Sequence, residues 1–384
     1  MKILFTIETL TLGGAELSLV RLANALKMDH EVEIFRIHRQ KVNESLVKKL
    51  QPGIVLRHPS KFSDFFLRKV DRIFSKLNLD FAISHYLIKS EIKKLVCKGN
   101  FDIVHSHLFK TDFLVASALK NAKIPFVLTI HGDYLNFSQN AKTLKLLNFE
   151  DKLCRILDRV DGIVCISDKQ IRFLHESSST LTPTKLTKIY NGFEYDREIQ
   201  PRKEQPFVFG MVARGIPEKG WETCIEAFLR LKHENLLLIL VGDSSYLNTL
   251  KQKYSRDSRI HFVGFVTEPI TWISKFHVGL LPSSYASESL PTSIIEYLYV
   301  GIPVIASDVG EISNMIKTHS GVAGTVLPPD TLTSQSLAEV MELYLTDRGL
   351  YNDHANAAKE AFTKFNMKKI IGELECFYKS VDTK

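Results

Sequence analysis

Cysteine is scarce and scattered in this sequence. The five residues Cys97, Cys154, Cys165, Cys224 and Cys376 are odd in number and form no C-x-x-C pair, which speaks against a disulfide framework or a zinc cage and fits a reducing compartment. Long apolar runs are missing too: none approaches the ~20 residues that would span a bilayer. The expectation is a cytoplasmic protein, soluble or peripheral to a membrane. The opening MKILFTIETL carries one lysine, is interrupted by Glu8 and has no small-residue cleavage site behind it, so it reads as a buried first strand rather than a signal peptide. No G-x-G-x-x-G loop is present, which disfavours a nicotinamide oxidoreductase. No repeat and no low-complexity tract appears.

What is present points to two domains. A chain of 384 residues that is 45% apolar is long enough for roughly two domains of ordinary size. Charge is unevenly spread: residues 1–200 hold 31 Lys/Arg against 22 Asp/Glu, while the remainder holds 19 against 21. The first half therefore favours anionic company. Apolar strands alternate with helical patterns, beginning with KILFTI, FDIVHSH, PFVLTIHG and DGIVCIS. They restart after residue 200 with PFVFGMVA, NLLLILVGD, SRIHFVG, FHVGLLPS and GIPVIAS. Such alternation argues two doubly wound parallel sheets. The boundary is expected in the polar, proline-bearing stretch EYDREIQPRKEQP, which separates domains at 1–200 and 201–364.

Ligands of open α/β sheets bind beyond the carboxyl ends of strands, so the loops there matter most. After the first strand, Gly13 and Gly14 would let backbone N–H groups approach a ligand at a helix start; taken alone, a plain tight turn is the simpler explanation. His131, between a strand end and a glycine, can hydrogen-bond a substrate hydroxyl or serve structure. His105 and His107 share a strand face, but without a third ligand at suggestive spacing a metal site is not expected. In VARGIPEKG, Arg214 and Lys219 with Gly220 could cradle a diphosphate, and a lysine in a first helical turn would oppose the helix dipole unless an anion were bound. In ESLPTSIIEYLYVGIPVIAS, Pro291 suits the first position of a helix. Glu288 then lies in the preceding loop and Glu296 inside the helix. Carboxylates there can each hold two sugar hydroxyls, although a surface and a capping glutamate would read the same way.

These motifs together resemble the retaining, two-Rossmann-domain (GT-B) glycosyltransferases of family 4, over nearly the whole chain. The resemblance rests on GGAE, FDIVHSH, TIHGD, VCISD, IYNGFE, ARGIPEKG, LVGD, VGFV and, most specifically, the E-x7-E signature Glu288 to Glu296. It implies an α/β, GT-B architecture in which two Rossmann-like domains face across a cleft and a C-terminal helix, 365–384, crosses back to the first. It implies a hexosyltransferase moving a hexose or N-acetylhexosamine from a nucleotide sugar, a UDP-sugar being the expected donor, to a saccharide or lipid-linked acceptor in cell-surface polysaccharide or glycolipid synthesis. Arg214 and Lys219 would bind the diphosphate, Glu296 the ribose, and the backbone of Leu290, Pro291 and Thr292 the sugar and phosphate. Glu288 would bind the sugar hydroxyls, His131 would approach the transferred sugar, Gly14 would meet the phosphates and Gly264 would lie near the base. On this resemblance Arg214, Lys219, Glu288 and His131 would form the catalytic set. Where the family often has glycine-phenylalanine-glycine after the first glutamate, Ser289, Leu290 and Pro291 stand here, which bears on which sugar fits.

Retaining transfer in such a site implies front-face attack, with the leaving diphosphate stabilised by the cations and the helix end. No D-x-D motif is present, so a metal-independent reaction is expected, with no cofactor beyond the nucleotide-sugar substrate. In residues 61–79, Phe62, Phe65, Phe66, Val70, Ile73, Phe74 and Leu77 oppose Arg68, Lys69, Arg72 and Lys76. This is a pattern for a helix lying on anionic lipid or packing its phenylalanines inward. Together with the basic first half it favours a lipid-linked acceptor over nucleic acid, for which no binding motif is present. A non-catalytic sugar-nucleotide-binding partner protein is the rival reading, and the presence of Arg214, Lys219, Glu288 and Glu296 weighs against it.

Overall fold

The computed structural model describes residues 1–65, 83–132, 134–139, 148–177, 186–195, 199 and 204–382. It divides into two compact units, Met1–Glu194 with Asn366–Lys384, and Tyr195–Phe365.

The first unit is built on a parallel sheet of seven strands: β1 (Lys2–Ile7), β2 (Glu31–Arg36), β3 (Val55–Arg57), β4 (Ile103–His107), β5 (Phe126–Ile130), β6 (Gly162–Cys165) and β7 (Leu186–Lys188). They lie in the order β3-β2-β1-β4-β5-β6-β7. The central strands β4, β5 and β6 are buried along their whole length, which is why their sequences read as continuous runs rather than alternations. Helices cover both faces. On one, Phe113, Leu114, Phe149 and Leu174 pack over the sheet. On the other, Leu19, Ala23 and Leu26 of the first helix (Gly14–Leu26) join Ile370, Leu374, Phe377 and Tyr378 of the C-terminal helix (Met367–Val381). The C-terminal helix starts at an Asn366 cap whose side chain accepts from the Lys368 N–H at 3.0 Å, so the chain turns into it at a defined residue. Helical structure begins at Lys61–Phe65, where Phe62 is exposed. The remainder of the basic, phenylalanine-rich segment expected at 61–79 lies outside the described residues.

The second unit holds β8 (Phe207–Val212), β9 (Leu236–Val241), β10 (Ile260–Gly264), β11 (Val278–Leu281), β12 (Val304–Ser307) and β13 (Gly324–Leu327). The order is β10-β9-β8-β11-β12-β13, again all parallel. Chain order reverses between β8 and β11, and in the first unit between β1 and β4. Loops leaving those strands diverge to opposite faces and open a crevice at the carboxyl edge. Two helices flank that edge in the second unit, Trp221–Arg230 after β8 and Thr292–Val300 after β11. The second is pinned to the sheet by the buried Tyr297, whose hydroxyl accepts from the Val212 N–H at 2.8 Å and donates to the Leu280 carbonyl at 3.2 Å. One side chain thus holds the helix to both strands of the switch point. Among the described residues, no helix is long and apolar enough to cross a membrane.

Candidate functional site

The loop after β8 departs from the sequence expectation. Pro217–Lys219 forms a 3-10 turn, and Gly220, at φ +79°, is the residue before the helix Trp221–Arg230. Lys219 therefore precedes the helix instead of sitting in its first turn, and the argument from an opposed helix dipole does not apply to it. Gly220 is required twice over: its left-handed backbone suits glycine, and a Cβ there would come within 2.0 Å of the Pro282 carbonyl oxygen. That approach brings the β8 loop against the loop leaving β11. Trp221, fully buried, donates its indole N–H back to the Arg214 carbonyl at 2.9 Å and fixes the loop's other end.

The β11 loop supplies the counter-charge. Lys219 and Glu288 are 6% and 8% exposed and form an ion pair between Nζ and Oε2. The Ser283 hydroxyl donates to the same carboxylate oxygen at 3.2 Å. The ring of Tyr285 lies beneath both cations, 4.9 Å from Lys219 Nζ and 5.0 Å from the Arg214 guanidinium carbon, a favourable cation–π arrangement. Pro291, expected as the first helical residue, is the cap one position earlier, and helical residues begin at Thr292. No side chain caps that end, so its first N–H groups are of the kind that an anion satisfies. Leu290 is buried beside it. Glu296, one turn into the helix and 5% exposed, accepts from the Tyr195 hydroxyl at 3.0 Å. Gly264 ends the edge strand β10, two strands from β8, at φ +89° and with open space where a Cβ would stand.

The structure thus gathers Arg214, Lys219 and Glu288 around Tyr285, in the loop that leads into the Thr292 helix. Sequence reasoning missed Tyr285, Ser283 and Tyr195. Tyr285 could have been noticed as an aromatic three positions before the first glutamate; nothing marked the others.

In the first unit, Gly14 opens the first helix, and a Cβ there would meet nothing within 4 Å. Gly13 has a different reason: a Cβ would approach the Glu16 carboxylate to 2.3 Å. That carboxylate accepts from the Thr9 and Thr11 hydroxyls at 2.9 and 3.2 Å, which orders the loop from within. Next to it, burial alone would raise the Glu8 carboxyl, but a hydrogen bond with His38 and the charge of Lys110 outweigh that and bring it down to about 2.

His131 follows β5 directly, and its Nε2 meets His107 Nδ1 at 2.8 Å. His107 and His105 stack with centroids 4.5 Å apart. Both nitrogens of His105 are engaged, Nδ1 by the Tyr378 hydroxyl at 2.6 Å and Nε2 by that of Thr129 at 2.7 Å. Burial lowers all three: His105 to about 3, His131 to about 4, and His107 well below its ordinary value. They are neutral imidazoles at physiological pH. Asp112, fully buried, goes the other way: burial pushes it up to about 8 against the hydrogen bonds of Ser106 and Tyr134.

Two parallel switch-point sheets, each with helices on both faces, are the fold of GT-B glycosyltransferases. The chain belongs to the family 4 glycosyltransferases. Residues 12–197 match the model described as Glycosyltransferase Family 4, and residues 192–361 that of Glycosyl transferases group 1. An Escherichia coli UDP-Gal:alpha-D-GlcNAc-diphosphoundecaprenol alpha-1,3-galactosyltransferase is 28% identical over 59% of this chain and 62% of its own length. A Campylobacter jejuni alpha-1,4-N-acetyl-D-galactosaminyltransferase, named for a diNAcBac-PP-undecaprenol-linked acceptor, is 27% identical over 97% of each chain. Among solved structures, Anabaena HepE in complex with UDP and glucose superposes with a TM-score of 0.73 at 19% identity over 98% of both chains. The sucrose-phosphate synthase of Thermosynechococcus elongatus does so with 0.75 at 17% identity, over 99% of this chain and 98% of its own.

Proposed function

We propose that this chain transfers a hexose or N-acetylhexosamine, with retention at the anomeric carbon and without a metal, from a UDP-sugar to a lipid-linked saccharide in the synthesis of a cell-surface glycan. The observation that carries this reading is the buried Lys219–Glu288 pair beside Arg214 and the uncapped helix. A diphosphate arriving there would take Lys219 and the helix N–H groups. Glu288, released from the lysine, would be free to accept from sugar hydroxyls. Arg214 and Lys219 would then balance the charge on the departing nucleotide, which is where electrostatic stabilisation counts most. Glu296 would hold the ribose, the backbone of Leu290, Pro291 and Thr292 the sugar and phosphate, and Gly264 would border the base. The roles of His131 toward the transferred sugar and of Gly14 toward the phosphates follow from the family resemblance. The diphosphoundecaprenol in the relatives' names supports a lipid-linked acceptor, and the basic first half supports work at an anionic membrane face.

The test is a panel of UDP-, GDP-, ADP- and CMP-linked sugars offered with a polyprenyl-diphosphate saccharide, with and without EDTA. The expected product forms from one UDP-sugar, keeps the donor's anomeric configuration by NMR and is insensitive to EDTA. Binding of nucleotide sugar with neither transfer nor hydrolysis would support the rival reading of a non-catalytic binding partner. An inverted product would overturn the retaining mechanism.

A further inference from the structure

Behind His131, inside the first unit, stands His107. β4 and β5 pair in parallel with His107 opposite Thr129, so a histidine just beyond β5 comes level with the end of β4. His107 is 1% exposed; its Nδ1 is taken by His131, and its Nε2 has no protein partner among the described residues. A cavity of about 20 Å³ adjoins it, lined among others by Ser18, His105, Thr129, His131 and Asn191. A space of that size admits a single water, provided polar groups surround it. Ser18 and Asn191, bonded to each other at 2.8 Å, still have a hydroxyl lone pair and amide protons to offer. His105 is not the partner of that nitrogen, because hydroxyls hold both of its own.

Only one proton fits between His107 Nδ1 and His131 Nε2. If His107 carries it, His131 accepts at Nε2 and must hold its own proton on Nδ1. If His131 carries it, His107 accepts at Nδ1 and must hold its proton on Nε2. With both rings neutral, the two tautomers are locked together. We propose that His107 is a positioning residue for His131: one water held in this pocket on its Nε2 selects the tautomer, and the two imidazoles always carry their protons on the same-named nitrogen. His131 then presents an Nδ1 of fixed polarity, donor in one case and acceptor in the other, without ionising. The consequence for catalysis rests on the transferase reading; the tautomer lock does not.

Long-range 1H–15N correlation spectra of the full chain with 15N-labelled histidine, without ligand at pH 7, test the lock. His107 and His131 are expected as neutral rings in the same tautomer. In His107→Leu, which removes both nitrogens, the two His131 nitrogen shifts move toward an averaged value, and kcat falls roughly 10- to 100-fold with little change in KM, as for a misplaced group. His107→Asn, whose amide stands where Nδ1 stood, restores a single His131 tautomer and most of kcat. Opposite tautomers in the wild type, or an unchanged His131 in His107→Leu, would overturn the proposal. Should His107→Leu not fold, the wild-type and His107→Asn spectra decide it. Should no sugar be transferred at all, the kcat arm falls with the functional reading while the spectra still judge the lock.

Discussion

Removing one charge from the Lys219–Glu288 pair should destabilise the second unit far more than removing both. Both side chains are almost wholly out of water, so Glu288→Gln strands a buried ammonium and Lys219→Met strands a buried carboxylate. Breaking such a pair costs about 3–5 kcal/mol, whereas replacing both partners by neutral groups is close to neutral. For a domain of this size that is a fall of roughly 6–20 °C in Tm for either single variant. The double variant should recover most of it, giving a coupling of about 3 kcal/mol or more. The readout is built in: both tryptophans, Trp221 and Trp272, belong to the second unit, so denaturant unfolding followed by tryptophan fluorescence reports that unit alone. Because Glu288→Gln leaves Lys219 without its internal anion, UDP should stabilise this variant more than the wild type. Single effects below about 0.5 kcal/mol, or a double equal to their sum, would refute the account of the pair. An equal response to UDP in both proteins would refute the part given to Lys219 in holding diphosphate.

Glu296→Gln should weaken UDP binding about tenfold in calorimetry with little loss of stability, since the amide still accepts from Tyr195. Tyr195→Phe should cost about 1.5–3 kcal/mol of stability, as expected for a hydrogen bond to a charged group; a wild-type melting point there would reject that bond. Asp112 gives a pH signature. Its folded pKa lies above the unfolded value, so the folded state holds the extra proton, and stability falls as pH rises between about 4 and 8, then levels off. Between pH 6 and 8 the loss is about 2 kcal/mol. Asp112→Asn should remove it, so its Tm should gain on the wild type as pH rises through that window; parallel curves would contradict the buried, protonated acid.

Much of the fold was legible because its central strands are buried on both faces. KILFTI, IVHSH and FVLTI cannot be amphipathic, and such runs admit few other readings. Strands β3, β7 and β13 escaped because they are three or four residues long and lie at sheet edges, with one flank unpaired. β2 escaped because EVEIFR carries two glutamates, one of which, Glu33, is buried against Arg57 at 2.8 Å.

The sequence by itself determined the two parallel sheets, the family, and the loops that carry Arg214, Lys219, Glu288 and Glu296, since these follow from local periodicity and short motifs. Tertiary structure alone decided who meets whom. That Lys219 answers Glu288 rather than a helix dipole depends on Gly220 letting two loops 60 or more residues apart touch. That His107 stands behind His131 depends on the register of β4 against β5. Neither contact has a periodicity, because both join residues far apart in the chain through close packing, and only the folded sheet brings them within reach.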